Sequence, residues 1–194
     1  EKNPQQAVLH IEECAAHASS VFGEIRFRLM GYEEVMNQQG FEQNLFMQML
    51  RYRLKDGNYP TFLTEKESHR IGRFVLPPSV NEAIKRHKYI YVECPVDERA
   101  RRVNIEYFGD GSAENCAAVK EKVGFLSSYL GHDRVKAYHE MIDRGEFNEF
   151  LEDILANYYD LVYKKTEEAP LLRVSNLNVA KCSAELVQFM DSYK

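Results

Sequence analysis

Two kinds of run alternate along the chain. Short apolar stretches bounded by charged or turn-forming residues predict strands at Ala7-Val8-Leu9-His10-Ile11, Thr61-Phe62-Leu63-Thr64, Tyr89-Ile90-Tyr91-Val92-Glu93-Cys94 and Leu171-Leu172-Arg173-Val174. Stretches with helical spacing lie between and after them. Residues 32–55 place Phe41, Leu45, Phe46, Met49, Leu50 and Leu54 on one stripe, and Asp56-Gly57-Asn58 ends it. Leu76-Pro77-Pro78-Ser79 reads as a helix entry, with Ser79 capping a helix to about His87 that turns Val80, Ala83 and Ile84 inward. A helix from Val96-Asp97 carries Arg99, Arg101 and Arg102 and breaks at Gly109-Asp110-Gly111-Ser112. Residues 113–164 are helical throughout, interrupted at Gly131 and Gly145. A closing helix from Val179 to Tyr193 turns Ala184, Val187 and Met190 inward. Residues 14–23 are small and polar, a loop or short helical turn.

Strands alternating with helices predict an α/β fold: a mostly parallel sheet flanked by helices, of the P-loop NTPase type but without the phosphate loop. Residues 1–112 and 165–194 would form this core, and 113–164 a helical lid or insertion. The length suits one domain with a proper core. The first residue is Glu1 and not Met, which implies a piece of a longer polypeptide. A net charge of −5 argues against general nucleic-acid stickiness while leaving room for a local basic patch. No apolar run reaches the ~18 residues of a membrane span, so no membrane partner is expected. Cys14, Cys94, Cys116 and Cys182 are scattered without a C-x-x-C pair, which suggests reduced thiols in a cytoplasmic protein.

The chemistry concentrates just past the second strand, in Glu65-Lys66-Glu67-Ser68-His69-Arg70-Ile71-Gly72-Arg73. Ligands of open α/β sheets bind outside the carboxyl ends of the strands. Arg70 and Arg73 there suit phosphates, and Glu65 and Glu67 suit a metal–water shell or the orientation of those arginines. Salt bridging within the loop is the competing use of the carboxylates. Glu12, His17, Ser19 and Ser20 follow the first strand and reach the same edge. Tyr158, Tyr159 and Tyr163 offer rings for base stacking or for packing. Arg99, Arg101 and Arg102 form either a phosphate-binding or a solvated helix face. No G-x-S-x-G, H-E-x-x-H or G-x-x-x-x-G-K-[ST] occurs.

Glu67-Ser68-His69-Arg70-Ile71-Gly72-Arg73 with Leu76-Pro77 resembles the E-S-R-x-I-G-R-x-x-L-P motif of bacterial tRNA 2-selenouridine synthases. Other matches follow in order over roughly residues 8–164. Ile11-Glu12 with His17, Ser20, Phe22 and Gly23 resembles D-L-E-G-L-A-x-H-R-G-S-x-F-G, and Phe41-Glu42 resembles F-E-x-x-L. Pro95 with Arg99 and Glu106-Tyr107 resembles the family's next segment, Leu130-Gly131 with Asp133-Arg134 its L-G-x-E-R, and Tyr159-Asp160 with Tyr163 its Y-D-P-x-Y. The departures are His69 at the first arginine of E-S-R, which puts Arg70 on a variable position, Ala18-Ser19 where the family has R-G, and Leu161 for the proline.

The family joins an N-terminal rhodanese domain to a C-terminal P-loop-type domain. The resemblance implies a transferase acting on wobble 2-thiouridine of tRNA, geranylating the sulfur with geranyl diphosphate and then exchanging it for selenium from selenophosphate. It assigns Glu65, Glu67 and His17 to catalysis, with Mg²⁺ held at Glu65. Ser68, Arg70, Arg73, Glu12, Ser19 and Ser20 would bind phosphate or substrate, and Arg99, Arg102, Arg134 and Tyr159 the tRNA. The rhodanese domain, in the same or a separate chain, would supply the cysteine for the selenium step, so this piece would not complete that step alone. Two other classes stay open: a nucleotide-binding ATPase-like regulatory domain, and a non-catalytic tRNA-binding or partner-docking module.

Overall fold

A computed structural model describes residues 7–163 and 169–193; the expected end of the helical insertion at 164 lies outside them. In chain order the elements are β1 (Val8–Leu9), α1 (Ile11–Ala15), α2 (Gly23–Leu29), α3 (Gln38–Leu50), β2 (Leu63–Thr64), β3 (Arg70–Ile71), β4 (Phe74–Val75), α4 (Pro78–Lys85) and β5 (Ile90–Glu93). There follow α5 (Val96–Phe108), α6 (Ala113–Gly124), α7 (Ser127–Leu130), α8 (His132–Asp143) and α9 (Phe147–Ile154), then a π-helical turn at Leu155–Tyr159 and α10 (Asp160–Val162). β6 (Leu172–Ser175) and α11 (Val179–Ser192) close the chain.

The fold is α/β with parallel pairing, but the strands form small separate sheets. β1 pairs with β2 in parallel, Val8 opposite Leu63 and Leu9 opposite Thr64. β5 pairs with β6 in parallel, Ile90 opposite Leu172 and Glu93 opposite Ser175. β3 and β4 form an antiparallel hairpin through Gly72-Arg73, where the charged sequence predicts a loop. Its charged residues hid an inward pair, Ile71 and Phe74, both buried; Gly72 turns the chain at φ +53°, a region that favours glycine.

Two compact units divide the chain, one of residues 1–23, 32–93 and 170–194, the other of 24–31 and 94–169. The helical unit thus begins at 94 and also takes in 24–31. In the first unit Leu9, Ile11, Cys14 and Ala15 pack with Phe41, Leu45, Ile71, Phe74, Leu76 and Ile84. Phe41 stacks on Phe74 with ring centroids 5.3 Å apart. In the helical unit Phe108 stacks on Phe147 at 4.1 Å and meets Phe150 edge-on at 6.2 Å, and Tyr138 meets Phe150 at 5.1 Å.

Several local expectations are corrected. α3 starts at Gln38, where the Asn37 side chain accepts from the Gly40 amide at 2.9 Å, and Phe46 on its stripe is exposed. α4 is entered through Pro77 and Pro78 without a side-chain cap, so Ser79 sits inside the first turn. Ala83 faces out, while Ile84 is buried. In α11 Cys182 and Met190 are buried, whereas Ala184 and Val187 are exposed. α2 escaped notice because Glu24-Ile25-Arg26-Phe27-Arg28 alternates polar and apolar residues with a strand's period.

Candidate functional site

The site is built where β1 and β2 end side by side. β1 runs into α1, which brings Glu12 to the edge, and β2 runs into Glu65 and Glu67. The Thr64 hydroxyl donates to the Leu9 carbonyl at 2.7 Å and tightens the parallel pair. The Glu65 carboxylate accepts from the Ile11 amide at 3.1 Å, through the Oε2 that also lies 3.2 Å from the Thr64 hydroxyl. A negative charge on the first amide of α1 is favourable at a helix start. Glu65 therefore fastens the end of β2 to the start of α1.

Glu67 lies two residues further on and is half-buried. Burial pushes its carboxyl above the ordinary range, and the charge of Glu65 adds to the rise. Hydrogen bonds with Ser19 and Glu12 act in the opposite direction. A hydrogen bond between two carboxyl groups requires one proton shared between them. The edge thus holds a pair of neighbouring carboxyl groups, one with a raised pKa, with a serine hydroxyl at its side.

His17 stands on the loop that follows α1. Its amide donates to the Glu12 carbonyl at 3.1 Å, the Ala18 amide to the Gly23 carbonyl at 3.0 Å, and the Gly23 amide to the Ser20 carbonyl at 2.9 Å. The Ser20 hydroxyl accepts from the Phe22 amide at 3.2 Å and shapes the same turn.

The two motif arginines differ. Arg73 donates to Glu34 at 2.8 Å and to the Val35 carbonyl at 2.5 Å. Arg70 is exposed, and its guanidinium makes no hydrogen bond or ion pair with the described residues. The Ser68 hydroxyl closes on the backbone of Arg70, donating to its carbonyl at 2.8 Å and accepting from its amide at 3.2 Å. Among the described residues no group of three or more His, Cys, Asp or Glu side chains is arranged to hold a metal ion.

The remaining candidates lie in the helical unit, and carboxylates occupy all three arginines. Arg99 grips Asp160 with two bonds of 2.8 and 2.6 Å. Arg102 bonds Glu98 at 2.8 Å. Arg134 bonds Asp153 at 2.5 Å and the Tyr138 hydroxyl at 3.0 Å. Burial, reinforced by the bond to Asp153, pushes the Tyr138 hydroxyl up to about 12. Tyr159 sits in a row of rings, 5.0 Å from Tyr158 and 6.1 Å from Tyr163. An open groove of about 770 Å³ in this unit is bordered by Arg26, Arg28, Met30, Ile105, Glu106 and Asn115; Glu106 belongs to a family-like segment, but none of the candidate catalytic, phosphate-binding or tRNA-binding residues lines it.

The structure therefore brings together Glu12, Ser19, Glu65 and Glu67, with His17 and Ser20 on the adjoining loop. Sequence reasoning missed Glu34, which no motif marks, and the part played by Gly23 and Gly72, which stood in plain view inside the motifs.

Parallel strands ending in a carboxyl-rich edge, with helices alternating along the chain, define an α/β domain with a polar site at its strand ends. The chain matches the tRNA 2-selenouridine synthase AAA domain over residues 3–193, and it belongs to that family. Among its relatives, the tRNA 2-selenouridine synthase of Shewanella frigidimarina is 24% identical over 169 residues, covering 86% of this chain and 43% of the relative. That of Hahella chejuensis is 26% identical over 176 residues, 79% of this chain and 45% of the relative. That of Cupriavidus pinatubonensis is 24% identical over 192 residues, 87% of this chain and 50% of the relative. The chain thus spans half or less of the length of these curated relatives. No solved structure matches it.

Proposed function

We propose that this chain is the phosphate-handling part of a tRNA-modifying transferase, acting on wobble 2-thiouridine with geranyl diphosphate and selenophosphate as co-substrates. The observation that carries the reading is the convergence of Glu67 and Glu12, supplied by two family-like motifs, with Ser19, a departure from one of them, at the ends of β1 and β2. A carboxyl pair in which one member's pKa is raised is suited to receive or donate a proton as a bond to sulfur is made or a phosphate leaves. Arg70, with no partner to give up, is the natural phosphate ligand. Arg73 would first have to leave Glu34.

The donor set does not fit a resident metal. Glu65 is committed to the Ile11 amide and Glu67 to Ser19 and Glu12, so no step here runs through Mg²⁺. The selenium step calls for a cysteine from a rhodanese domain, in the same or another chain. Two of the four cysteines accord with that division: burial pushes the Cys14 thiol up to about 12 and also raises Cys116, which disfavours the thiolate needed for attack.

The test is calorimetric titration of geranyl diphosphate, selenophosphate and ATP into the full-length protein and its variants, alongside conversion of tRNA bearing 2-thiouridine. Arg70→Ala is expected to weaken diphosphate binding by about 1.5–3 kcal/mol, the worth of a hydrogen bond to a charged group. Unchanged binding in a folded Arg70→Ala protein removes Arg70 from the site. Tight binding of ATP with no affinity for geranyl diphosphate points instead to a nucleotide-binding domain.

A further inference from the structure

The imidazole of His17 lies against two glycines far apart in sequence. A Cβ on Gly23 would stand 2.5 Å from its Cε1 and 2.6 Å from its Nδ1. A Cβ on Gly72 would stand 2.8 Å from its Cδ2 and Cγ and 2.9 Å from its Nδ1. Neither position could carry a side chain while the ring stays where it is, since non-bonded carbons settle at about 3.5–4.0 Å. At Gly72 all three nearest atoms belong to His17; at Gly23 the next neighbour is the Ala18 carbonyl carbon at 3.0 Å.

The backbone on either side of His17 points the same way. Ala16 at φ +48° and Ser19 at φ +28° are the two non-glycine residues with positive φ among the described residues. Each such conformation costs on the order of 1–3 kcal/mol and persists only where the surroundings enforce it. The loop is tied down on both sides: the Glu12 carbonyl accepts from the His17 amide, and the Ser19 side chain bonds Glu67. A strained loop and two missing side chains therefore serve one placement.

We infer that Gly23 and Gly72 are positioning residues, forming a slot that fixes the His17 ring beside the Glu12–Glu67–Ser19 cluster so that it meets the phosphate-bearing substrate in one orientation. The slot rests on the geometry of His17, and its use rests on the proposed function above. The two are separated by the choice of measurements.

The experiment uses the full-length protein labelled with ¹³C-histidine, with the His17 ring signal assigned by its loss in His17→Ala. Gly23→Ala and Gly72→Asn are each made in the native and in the His17→Ala background. Asparagine tolerates positive φ, so the second variant adds a Cβ at Gly72 with little backbone strain of its own. Melting temperature, the His17 signal and the affinity for inorganic pyrophosphate are read for every protein that folds.

In the native background each substitution is expected to move or broaden the His17 signal and to weaken pyrophosphate binding about tenfold. In the His17→Ala background the same substitution is expected to change affinity by less than twofold, with most of its effect on melting temperature gone. Equal losses of melting temperature in both backgrounds overturn the slot. A shifted melting temperature with an unmoved ring signal overturns it too, leaving the glycines a structural role only. A moved ring signal with unchanged affinity overturns positioning toward substrate. No pyrophosphate affinity in the native protein defeats the phosphate reading, while the ring signal and the melting cycle still judge the slot.

Discussion

The Glu67 carboxyl is held above the ordinary carboxylate range because burial disfavours the charged form more than Ser19 and Glu12 favour it. The consequence for stability has a definite sign. The folded state binds the proton more tightly than the unfolded chain, so stability contributed at Glu67 is full below the ordinary value of 4.5 and is lost as pH rises through the raised folded value. Glu67→Gln, which keeps the shape and removes the charge, is expected to raise the melting temperature relative to the native protein at neutral pH and to lose that advantage below pH 4.5. Thermal melts of the two proteins across that range check this, and parallel curves would sink it. His17 adds the lesson of what motif reading leaves out. The histidine was visible as a candidate, whereas the reason for its neighbours Gly23 and Gly72 is a distance across the fold, and no spacing in the sequence encodes it.

Among the elements, the β3–β4 hairpin depends on inward Ile71 and Phe74, with Arg73 tying its turn to Glu34 and Val35. The Arg73–Glu34 pair is exposed on both sides, and such pairs contribute little. Arg73→Ala is accordingly expected to cost no more than about 1 kcal/mol in denaturant unfolding. Phe41→Ala, which removes the ring stacked on Phe74, should cost about 3–5 kcal/mol. If the two variants unfold at the same denaturant concentration, the packing account fails. The same contrast explains which elements were legible. The strands at β5 and β6 and helices α5, α6, α8 and α9 announce themselves by apolar runs or by glycine breaks at Gly109, Gly131 and Gly145. The break that sets α7 apart falls at Phe125-Leu126, inside a stretch that reads as one helix. The hairpin was hidden because only Ile71 and Phe74 point inward among charged neighbours, and α2 because Ile25 and Phe27 sit two apart. The candidate site was legible in part for a related reason. Motif order brought Glu12 and Glu67 to one edge, with Ser19 beside them by its place after the first strand, but the engagement of Arg73 and the freedom of Arg70 arise only in the fold.

At the scale of the molecule, the charge of −5 and the engagement of Arg99, Arg102 and Arg134 with carboxylates bear on the proposed contact with tRNA. These arginines hold Asp160, Glu98 and Asp153 before any phosphate arrives. Replacing all three by alanine is expected to lower the melting temperature by several degrees, in line with lost ion pairs and packing. The slope of log affinity for tRNA against log salt should change by less than about one, since each phosphate-contacting cation contributes about that much. A loss of two or more in slope would assign these residues to the RNA contact instead.

The parallel ladder of β5 and β6 has a consequence for how the chain reaches this state. Parallel strands cannot be joined by a tight turn, and here the connection is the long helical segment between Glu93 and Leu172. Bringing the ends of so long a flexible segment together costs roughly 4 kcal/mol by loop-closure scaling. Helices form through local contacts and need no such closure. The order of assembly should therefore be fixed by topology: in a pulse-labelling refolding experiment the amides of Phe108, Tyr138 and Phe150 gain protection first, and those of Tyr91, Val92 and Val174 follow. The ladder is then a late-closing clasp, and the time at which it closes is set by the helices folded between its two halves.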